Sequence, residues 1–524
     1  MPAANNNRFF LIISFVLIIV LCLLGFAFQG SRGIWQPDEG YYVGTAVTMM
    51  QKNTLLIPYL GETEIFLDKP PLVYWGIISG LNIFGHNEFA VRFFNAACFI
   101  LTALITGLLA KELFGDKVTG LLSAFIYATM AVPFIAANFV TPDTPLALWT
   151  TAAVFCFLKS IRSAGYKTLW QILLCVAAGL GFLAKGPAVL LPCGGMFVFL
   201  AVRKQIIRYF RHPSILAGLL IFVAVGLGWY FWVSIKVPGA FTYFFDSQIW
   251  GRLVSDKYKR HPGLLGALIY LPILVFGSLP WSVVWSEKRA MIADILLKRS
   301  GWMVLAGKDA ALFLACWFFV PLVILCLASS KLSLYVLPVF PALAIATARL
   351  WREKVPDMAR FLPKEKIRFF TRPAALAAFW VFLLIVSRLV LAYYPTYKNM
   401  RVLWADMNRE LPLADYEIAT VKKRADGLLF YGARRLEHVD NDDRPYPAFS
   451  KTEYILDEIA QVRAEKEIGV FLIYGDKDIV KTCGILQKAD IKYKQISLPY
   501  NRALLILEPA AEAGHSALTT GADM

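Results

Sequence analysis

The stretch FAVRFFNAACFILTALITGLLA, residues 89–110, decides the class of fold. It carries a single charged residue, Arg92, and it is long enough to cross a bilayer as a helix, which takes about 17–25 apolar residues. The sequence predicts about eleven such runs. They lie near 9–29, 89–110, 118–137, 143–158, 169–184, 186–202, 214–235, 263–284, 310–328, 333–350 and 373–394. We therefore expect a polytopic α-helical membrane protein with about eleven spans.

The composition supports a membrane protein. Of the 524 residues, 58% are hydrophobic and 17% are charged, whereas soluble proteins carry about 25% charged residues. The net charge of +16 fits Lys and Arg in cytoplasmic loops better than it fits nucleic-acid binding. All eight cysteines except Cys483 lie in apolar runs, where Cys behaves as a small hydrophobe rather than as part of a disulfide framework.

Lys and Arg also assign the two sides of the membrane. With a cytoplasmic N-terminus, every inside connection is basic, as the positive-inside rule requires. These connections are 111–117, 159–167, 203–211, 288–308 and 349–372. The outside connections are then 30–88, 138–144, the turn at 185–187, 236–262 and 329–331. The first of them should contain interfacial helices, and the unusual polar residues of the chain collect in this outside set.

The apolar runs stop near residue 395. Segments 416–421, 427–431, 468–474 and 503–507 have the pattern of β-strands, and 452–465 and 476–489 that of amphipathic helices. The sequence thus predicts a transmembrane domain over 1–394, a small periplasmic α/β domain over 395–510 and a disordered tail over 511–524.

Two adjacent acids, Asp38 and Glu39, follow the first apolar run in the stretch IWQPDEGYY, residues 34–42. They would begin an interfacial helix that continues to Gln51, where an acid is ordinarily a cap. Adjacent helical residues point about 100° apart, so we do not expect both acids to serve one substrate atom. One of them should face a site while the other caps or orients the helix.

Cations and aromatic residues lie in the same outside connections. Lys69 stands beside a pair of prolines and could either reach lipid headgroups or hold a substrate phosphate. Arg252 and Arg260 belong to a basic cluster that runs against the positive-inside trend, which favours an anionic ligand or phospholipid headgroups. The remaining candidates are Tyr74 in an aromatic belt, Asp143 at the start of a span, and Lys331 and Tyr335 at the entrance of another.

This set of residues suits the transfer of a group from a lipid-phosphate carrier. Carboxylates at headgroup depth can accept a proton or stabilise a developing positive charge, and cations there can hold a phosphate at the end of a lipid chain. A flippase or transporter would place ionisable groups near the midplane and often shows repeated halves, whereas these spans hold few interior charges and show no repeat. A scaffold protein would leave the acidic and basic loops without a role.

The order of the motifs resembles the glycosyltransferase C superfamily, in the protein O-mannosyltransferase-like branch that includes the bacterial aminoarabinose transferases of lipid A. The motifs are Asp38-Glu39, then KPPLVYW at 69–75, TPDTP at 141–145, RH at 260–261 and SKLSLYVLPVFP at 330–341. The resemblance covers roughly residues 30–345. One motif departs from the branch, which usually reads Asp-Glu-x-Arg-Tyr, because Tyr41 stands here in place of the arginine.

The resemblance implies an inverting enzyme that takes a hexosyl or pentosyl group from a polyprenyl-phosphate carrier. The acceptor would be lipid A or another envelope glycan, with a flippase of lipid-linked sugars or a protein O-glycosyltransferase as alternatives. It implies a monomer in the bacterial inner membrane, in contact with membrane lipids and not with nucleic acid, whose active site and C-terminal domain face the periplasm.

The resemblance also assigns roles to residues. The catalytic acids that it implies are Asp38 and Asp143, to which we add Glu39 as the neighbour of Asp38. The contacts of the carrier phosphate that it implies are Lys69, Arg260 and Tyr335, to which we add Lys331 and Arg252 from their place in the outside connections. Donor or acceptor contacts would come from Tyr41, Tyr42 and Tyr74. Glu88 and His261 resemble positions that bind a metal in one branch, so a divalent metal is the one cofactor to consider.

Overall fold

The computed structural model describes residues 2–61, 64–163, 165–250, 263–286, 308–354, 367–413, 416–441, 453–464 and 468–507. The chain divides into two compact units. The helical unit comprises Met1–Arg32, Thr54–Ile57 and Leu67–Tyr394, and the sheet unit comprises Gly33–Asn53, Pro58–Phe66 and Pro395–Met524. The segments 33–53 and 58–66 thus group with the C-terminal part of the chain, which the periodicity of the sequence does not indicate. The predicted tail 511–524 lies outside the described residues.

The helical unit is built from α-helices with short 3₁₀ and π segments between some of them. The α-helices are Pro2–Phe26, Leu72–Phe84, Glu88–Phe114, Lys117–Thr129, Ala131–Ala136, Asp143–Arg162, Lys167–Lys185, Leu190–Val202, Ile206–Phe210, Ser214–Phe222, Gly228–Lys236, Ala240–Thr242, Gly263–Ala267, Tyr270–Gly277, Val283–Ser286, Asp309–Leu327, Phe340–Lys354 and Ile367–Tyr393. The 3₁₀ segments are Gly186–Val189 and Ser333–Val339, and the π segments are Val223–Leu227 and Tyr243–Trp250.

Among the described residues, 7 helical segments are long and apolar enough to cross a membrane. They are Glu88–Phe114, Asp143–Arg162, Lys167–Val202, Ser214–Lys236, Asp309–Leu327, Ser333–Arg352 and Ala375–Tyr393. Shorter apolar helices are Phe10–Phe26, Leu72–Phe84 and Leu265–Gly277. The chain is therefore a multi-pass helical membrane protein, and the count of eleven spans stays a prediction.

Small residues let neighbouring helices of this unit approach closely. The helices Glu88–Phe114 and Lys117–Thr129 are joined by Gly115, whose φ of 68° is a left-handed helix end that glycine adopts without strain. Asp116 then caps the second helix by accepting the N–H of Val118 at 3.0 Å. Where the two helices pack, a Cβ on Gly107 would lie 2.8 Å from the carbonyl oxygen of Gly120. A side chain there would push the backbones apart.

The sheet unit contains five α-helices and eight strands among its described residues. The helices are Asp38–Gln51, Met400–Glu410, Leu428–Tyr431, Ile455–Ala464 and Asp476–Lys488. The strands are β1 (Tyr59–Leu60), β2 (Glu64–Ile65), β3 (Glu417–Val421), β4 (Arg435–Asp440), β5 (Glu453–Tyr454), β6 (Gly469–Tyr474), β7 (Tyr493–Leu498) and β8 (Arg502–Leu507). β1 and β2 form an antiparallel pair of their own.

The other six strands form one mixed sheet in the order β5-β4-β3-β6-β8-β7. β3, β4, β5 and β6 run parallel, and β8 is antiparallel to both β6 and β7. Every residue of β3 and β6 is buried, as expected for parallel strands covered on both faces. The predicted C-terminal α/β region is confirmed as a small mixed sheet with helices.

One predicted strand is wrong. Residues 427–431 form no strand, because Leu428–Tyr431 is a single helical turn. A short apolar run is compatible with a buried strand or a buried helical turn, and its periodicity does not separate the two. The sequence analysis did not predict strands β4 and β7, because charged and polar residues such as Arg435 and Lys494 interrupt their apolar pattern.

Candidate active site

The helix Asp38–Gln51 gives its two adjacent acids different surroundings. Asp38 is exposed, whereas Glu39 is 1% exposed. The Glu39 Oε2 atom accepts the backbone N–H of Trp35 at 3.0 Å, so this carboxylate fixes the turn that leads into the helix. The carboxylate of Asp38, at the first position of the helix, is accessible to a substrate.

Gln36, two residues before this helix, is hydrogen-bonded to the loop that follows the central strand β3. The Gln36 side chain donates from Nε2 to Asp426 Oδ2 at 3.0 Å and accepts the N–H of Gly427 at its Oε1, at 3.3 Å. A Cβ on Gly40 would lie 1.5 Å from that Oε1 atom. Glycine at position 40 is therefore needed for the Gln36 side chain to take this position.

Arg424 organises the same loop. Its guanidinium forms ion pairs with Glu64 and with Asp426, the latter at 3.2 Å from Nε to Oδ1. Its Cζ atom lies 5.9 Å from the centre of the Tyr41 ring. Burial alone would lower the pKa of Arg424, but the charges of Asp426 and Glu64 outweigh it and raise the pKa above its ordinary value. A permanent positive charge thus lies beside Tyr41, the position where the aminoarabinose branch usually carries an arginine.

Burial keeps the phenol group of Tyr41 neutral. Its ring stacks on Phe66 with 5.9 Å between the ring centres. Burial first, and then the negative charge of Asp426, raise the pKa of Tyr41 to about 12, although Arg424 acts in the opposite direction. Tyr42, the next predicted contact residue, is half-buried on the same helix.

In the helical unit, three residues from separate segments come together. Asp143, the first residue of helix Asp143–Arg162, forms an ion pair with Lys185, the last residue of helix Lys167–Lys185. The Lys185 Nζ atom lies 4.5 Å from the centre of the Tyr335 ring. Both charged side chains are almost fully buried. The structure therefore joins two of the predicted residues, Asp143 and Tyr335, through a lysine that we did not predict as a site residue.

The other predicted cations of the helical unit have local partners. Lys69 is buried and pairs with the neighbouring Asp68. Lys331 is buried and donates to the carbonyl oxygen of Ala328 at 2.6 Å. Each ammonium is thus held close to its own stretch of backbone, at the start of helix Leu72–Phe84 for Lys69 and after helix Asp309–Leu327 for Lys331.

The remaining predicted residues are divided between described and undescribed segments. Tyr74 is buried in helix Leu72–Phe84, and Glu88 is half-buried in the first turn of helix Glu88–Phe114. Arg252, Arg260 and His261 lie outside the described residues. Within the described part of the chain, no three His, Cys, Asp or Glu side chains group closely enough to hold a metal ion.

The sequence analysis did not identify Lys185, Gln36 or Arg424 as site residues. The sequence does give a reason to expect a partner for Lys185, because a lone cation between two long apolar runs is energetically unfavourable in a membrane unless it is paired. The sequence gives no such reason for Gln36 and Arg424, since their contacts join segments about 390 and 360 residues apart in the chain.

Comparisons with known proteins bear on this architecture. Residues 68–232 match the family described as dolichyl-phosphate-mannose-protein mannosyltransferase. The chain is 27% identical over 352 residues to the undecaprenyl phosphate-alpha-4-amino-4-deoxy-L-arabinose arabinosyl transferase of Photorhabdus laumondii, a match that covers 66% of this chain and 60% of that protein. It is 30% identical over 322 residues to the corresponding protein of Yersinia enterocolitica, covering 61% of this chain and 55% of that one.

A solved structure has the same fold. The crystal structure of ArnT from Cupriavidus metallidurans bound to undecaprenyl phosphate superposes with a TM-score of 0.73 and 17% sequence identity, over 94% of this chain and 97% of that chain. The agreement extends over the helical unit and the sheet unit alike, because it covers nearly all residues of both proteins.

Proposed function

Since residues 68–232 of this chain match the dolichyl-phosphate-mannose-protein mannosyltransferase family, we propose that the protein is a membrane glycosyltransferase that moves a sugar from a polyprenyl-phosphate carrier to an extracytoplasmic acceptor. The resemblance inferred from the order of the motifs is confirmed at the level of the family. The matched part covers less than two thirds of the length of the arabinosyl transferases named above, so the activity, the sugar and the acceptor are proposals.

The observation that carries the proposal is the buried contact of Asp143, Lys185 and Tyr335. A lysine at the end of a span, held over an aromatic ring and beside a carboxylate, is suited to bind an oxyanion that arrives on a lipid chain. The Lys185 ammonium can keep its bond to Asp143 while it donates a second hydrogen bond to a carrier phosphate oxygen. Lys69, Lys331, Arg252 and Arg260 would add positive charge to the same phosphate.

The proposed reaction is a direct displacement with inversion. An oxygen of the acceptor attacks the anomeric carbon, the bond from that carbon to the carrier phosphate oxygen breaks, and the carrier phosphate leaves with the electron pair. Cations at the leaving phosphate stabilise the charge that develops there. No nucleotide sugar enters the reaction, because the phosphate on the carrier is itself the leaving group.

Asp38 is the proposed residue that acts on the acceptor. If the acceptor is a hydroxyl, its proton passes to the Asp38 carboxylate as the new bond forms. If the acceptor is a phosphate oxygen that is already ionised, Asp38 positions it and takes no proton. The other proposed site residues are Glu39, Asp143, Tyr41, Tyr42 and Tyr74. Of these, Glu39 supports the turn before Asp38.

The sugar we favour is aminoarabinose, because the relatives quoted above are named as arabinosyl transferases that use undecaprenyl phosphate-4-amino-4-deoxy-L-arabinose. The acceptor we favour is lipid A, which the resemblance of the motifs to the aminoarabinose transferases of lipid A implies. The protein would then lie in the bacterial inner membrane with its reactive side in the periplasm. A protein acceptor is the second candidate, and the observation that favours it is the match of residues 68–232 to a family of protein mannosyltransferases.

The experiment that tests the function is a deletion strain analysed by mass spectrometry. We expect its lipid A to lack one aminoarabinose substituent, and we expect the wild-type gene, but not an Asp38→Asn gene, to restore it. Loss of a glycan from periplasmic proteins, with lipid A unchanged, would favour the second candidate. A strain in which lipid A, other glycans and glycoproteins are all unchanged would contradict the transferase proposal.

A further inference from the structure

Two tryptophan side chains bind the backbone of a short segment of the helical unit, Thr54–Ile57. The indole N–H of Trp75 donates to the carbonyl oxygen of Leu55 at 2.6 Å, and the indole N–H of Trp229 donates to the carbonyl oxygen of Leu56 at 2.7 Å. The segment lies in neither a helix nor a strand. Its two consecutive carbonyl groups are thus fixed by side chains of two other elements of the unit.

The side chains of the same two leucines point away from the protein. Leu55 is 55% exposed and Leu56 is 40% exposed. Apolar surface is stabilised by its removal from water, so a pair of leucines held outward by two hydrogen bonds to its own backbone is favourable only where something apolar covers it.

The place of Trp229 along its helix indicates what covers the leucines. Trp229 precedes Lys236, the last residue of the membrane-crossing segment Ser214–Lys236, by about two turns, or about 10 Å along an α-helix. Ile235 lies nearer to that end and is 80% exposed. Because an exposed apolar side chain of a membrane-crossing segment faces acyl chains, the acyl region extends past the level of Trp229. The Leu56 carbonyl that is bonded to Trp229 lies within this region.

The two indole hydrogen bonds supply what a non-helical backbone needs at this depth. Acyl chains donate no hydrogen bond, and a carbonyl without one is unfavourable in hydrocarbon. The indole N–H groups satisfy the carbonyls of Leu55 and Leu56, and tryptophan rings are themselves favoured at the edge of the acyl region. Lys52 and Asn53, which precede the segment in the chain, are exposed and polar, as suits the level of the headgroups.

We infer that Leu55 and Leu56 insert into the acyl chains of one leaflet, and that Trp75 and Trp229 make the insertion possible by bonding the two carbonyls. The occupant of this surface is bilayer lipid, because acyl chains cover apolar side chains and require no hydrogen bond from them. The inference requires a membrane protein and does not depend on the proposed transferase activity.

The insertion has a consequence for the sheet unit through the backbone alone. Residues 33–53 and 58–66 flank the segment in the chain and belong to the sheet unit. The first of these stretches contains the helix Asp38–Gln51. Leu55 and Leu56 therefore act as an anchor that keeps both stretches at the membrane surface.

The test is photocross-linking of the full-length protein in liposomes of phosphatidylethanolamine, phosphatidylglycerol and undecaprenyl phosphate. The photoreactive amino acid p-benzoylphenylalanine replaces Leu55 or Leu56, and mass spectrometry identifies the adducts that form on irradiation. The same amino acid at Phe379, which is 57% exposed on a membrane-crossing helix, reports contact with lipid. At Val480, which is 71% exposed on a helix of the sheet unit, it reports a surface outside the membrane-crossing segments.

We expect phospholipid adducts at positions 55 and 56 with yields close to the yield at position 379, and loss of these adducts at position 480. The variant Trp75→Phe/Trp229→Phe keeps both aromatic rings and removes both donors, so the yield at position 56 should fall at least about fivefold. Trp170→Phe is the matched control, because the ring of Trp170 packs on Phe155 elsewhere in the same unit, and it should leave the yield unchanged.

Each result decides the inference. Adducts with undecaprenyl phosphate alone would identify a surface for the carrier chain, and adducts with a second copy of the protein would identify an interface. Either result, or the lack of adducts at positions 55 and 56 when position 379 forms them, overturns the inference. An unchanged yield in the double tryptophan variant overturns the role of the indoles. If that variant does not fold, the comparison of the four labelled positions still decides whether the leucines are inserted.

Discussion

Asp143 and Lys185 form a buried ion pair that joins the first residue of one helix to the last residue of the next. Both charges suit the helix ends on which they lie, since a carboxylate is favoured at an N-terminus and an ammonium at a C-terminus. The pair therefore holds two antiparallel helices together at the end where Tyr335 lies. Substitutions can separate the contribution of this pair to stability from its contribution to sugar transfer.

We expect Lys185→Met to destabilise the protein by about 3–5 kcal/mol, because it leaves the Asp143 carboxylate buried without its partner. The double variant Asp143→Asn/Lys185→Met removes both charges and should recover most of this loss. Thermal unfolding in detergent measures both effects. If Lys185 binds the carrier phosphate, the double variant stays inactive although it is stable again. Recovered transfer in the double variant would show that the pair is structural only.

The two adjacent acids should respond differently to loss of charge. We expect Asp38→Asn to abolish sugar transfer with little change in unfolding temperature, because its side chain is exposed. Glu39→Gln should instead lower stability by about 1 kcal/mol by weakening the bond to Trp35 N–H, with partial activity. Transfer assays and thermal unfolding of both variants check this. Full activity of Asp38→Asn would remove it from the reaction.

Features of the fold that depend on neighbouring residues were predictable from the sequence, whereas contacts between distant segments were not. Apolar run length predicted the membrane helices, and the apolar strand β6 was predicted over 468–474 and found over Gly469–Tyr474. The helix after Pro37 was predicted to end at Gln51 and does so. These features depend on periodicity and on capping, which are local properties of the chain.

The partners of the functional side chains depend on tertiary packing instead. Lys185 meets Asp143 across 42 residues of chain, and Arg424 meets Glu64 across 360. No periodicity encodes such a pairing, and Arg424 follows Lys422 and Lys423 in a basic stretch whose pattern indicates no partner. The roles of Asp38, Lys69 and the other predicted site residues stay predictions until substitutions test them.

Arg424 should be needed to keep the segment before the Asp38 helix in place. We expect Arg424→Met to cost about 3–5 kcal/mol, because it leaves Glu64 and Asp426 as neighbouring buried carboxylates without their cation. Asp426 would then hold Gln36 less firmly, and we expect transfer at saturating donor to fall about tenfold, the effect of a misplacement that raises the barrier by about 1.4 kcal/mol.

The matched control for this variant is Arg409→Gln. Arg409 is an exposed arginine of the same unit, whose carboxylate partner, Asp406, is 3.8 Å away, and exposed pairs contribute about 0–1 kcal/mol. Thermal unfolding and kcat should therefore be close to the wild-type values in Arg409→Gln. Equal behaviour of the Arg424 and Arg409 variants would contradict the positioning role of Arg424.

His438 should make the stability of the sheet unit depend on pH. Its Nδ1–H donates to the carbonyl oxygen of Thr420 at 3.1 Å. Burial first, and then the charge of Arg424, lower the pKa of His438 from 6.5 to about 4. Between these two values the unfolded chain binds a proton that the folded chain does not, so the contribution of His438 to stability increases as the pH rises from about 4 to 6.5 and is lost as the pH falls.

The size of this effect is about 3 kcal/mol at most for a shift of this extent, and His438→Asn should remove it, because asparagine can still donate to Thr420 but does not titrate. We expect the difference in unfolding temperature between the wild type and His438→Asn to grow in favour of the wild type from pH 4 to pH 6.5 and to level off above it. A difference that is constant over this range would mean that the pKa of His438 is the same in the folded and the unfolded chain, so that neither burial nor the charge of Arg424 lowers it.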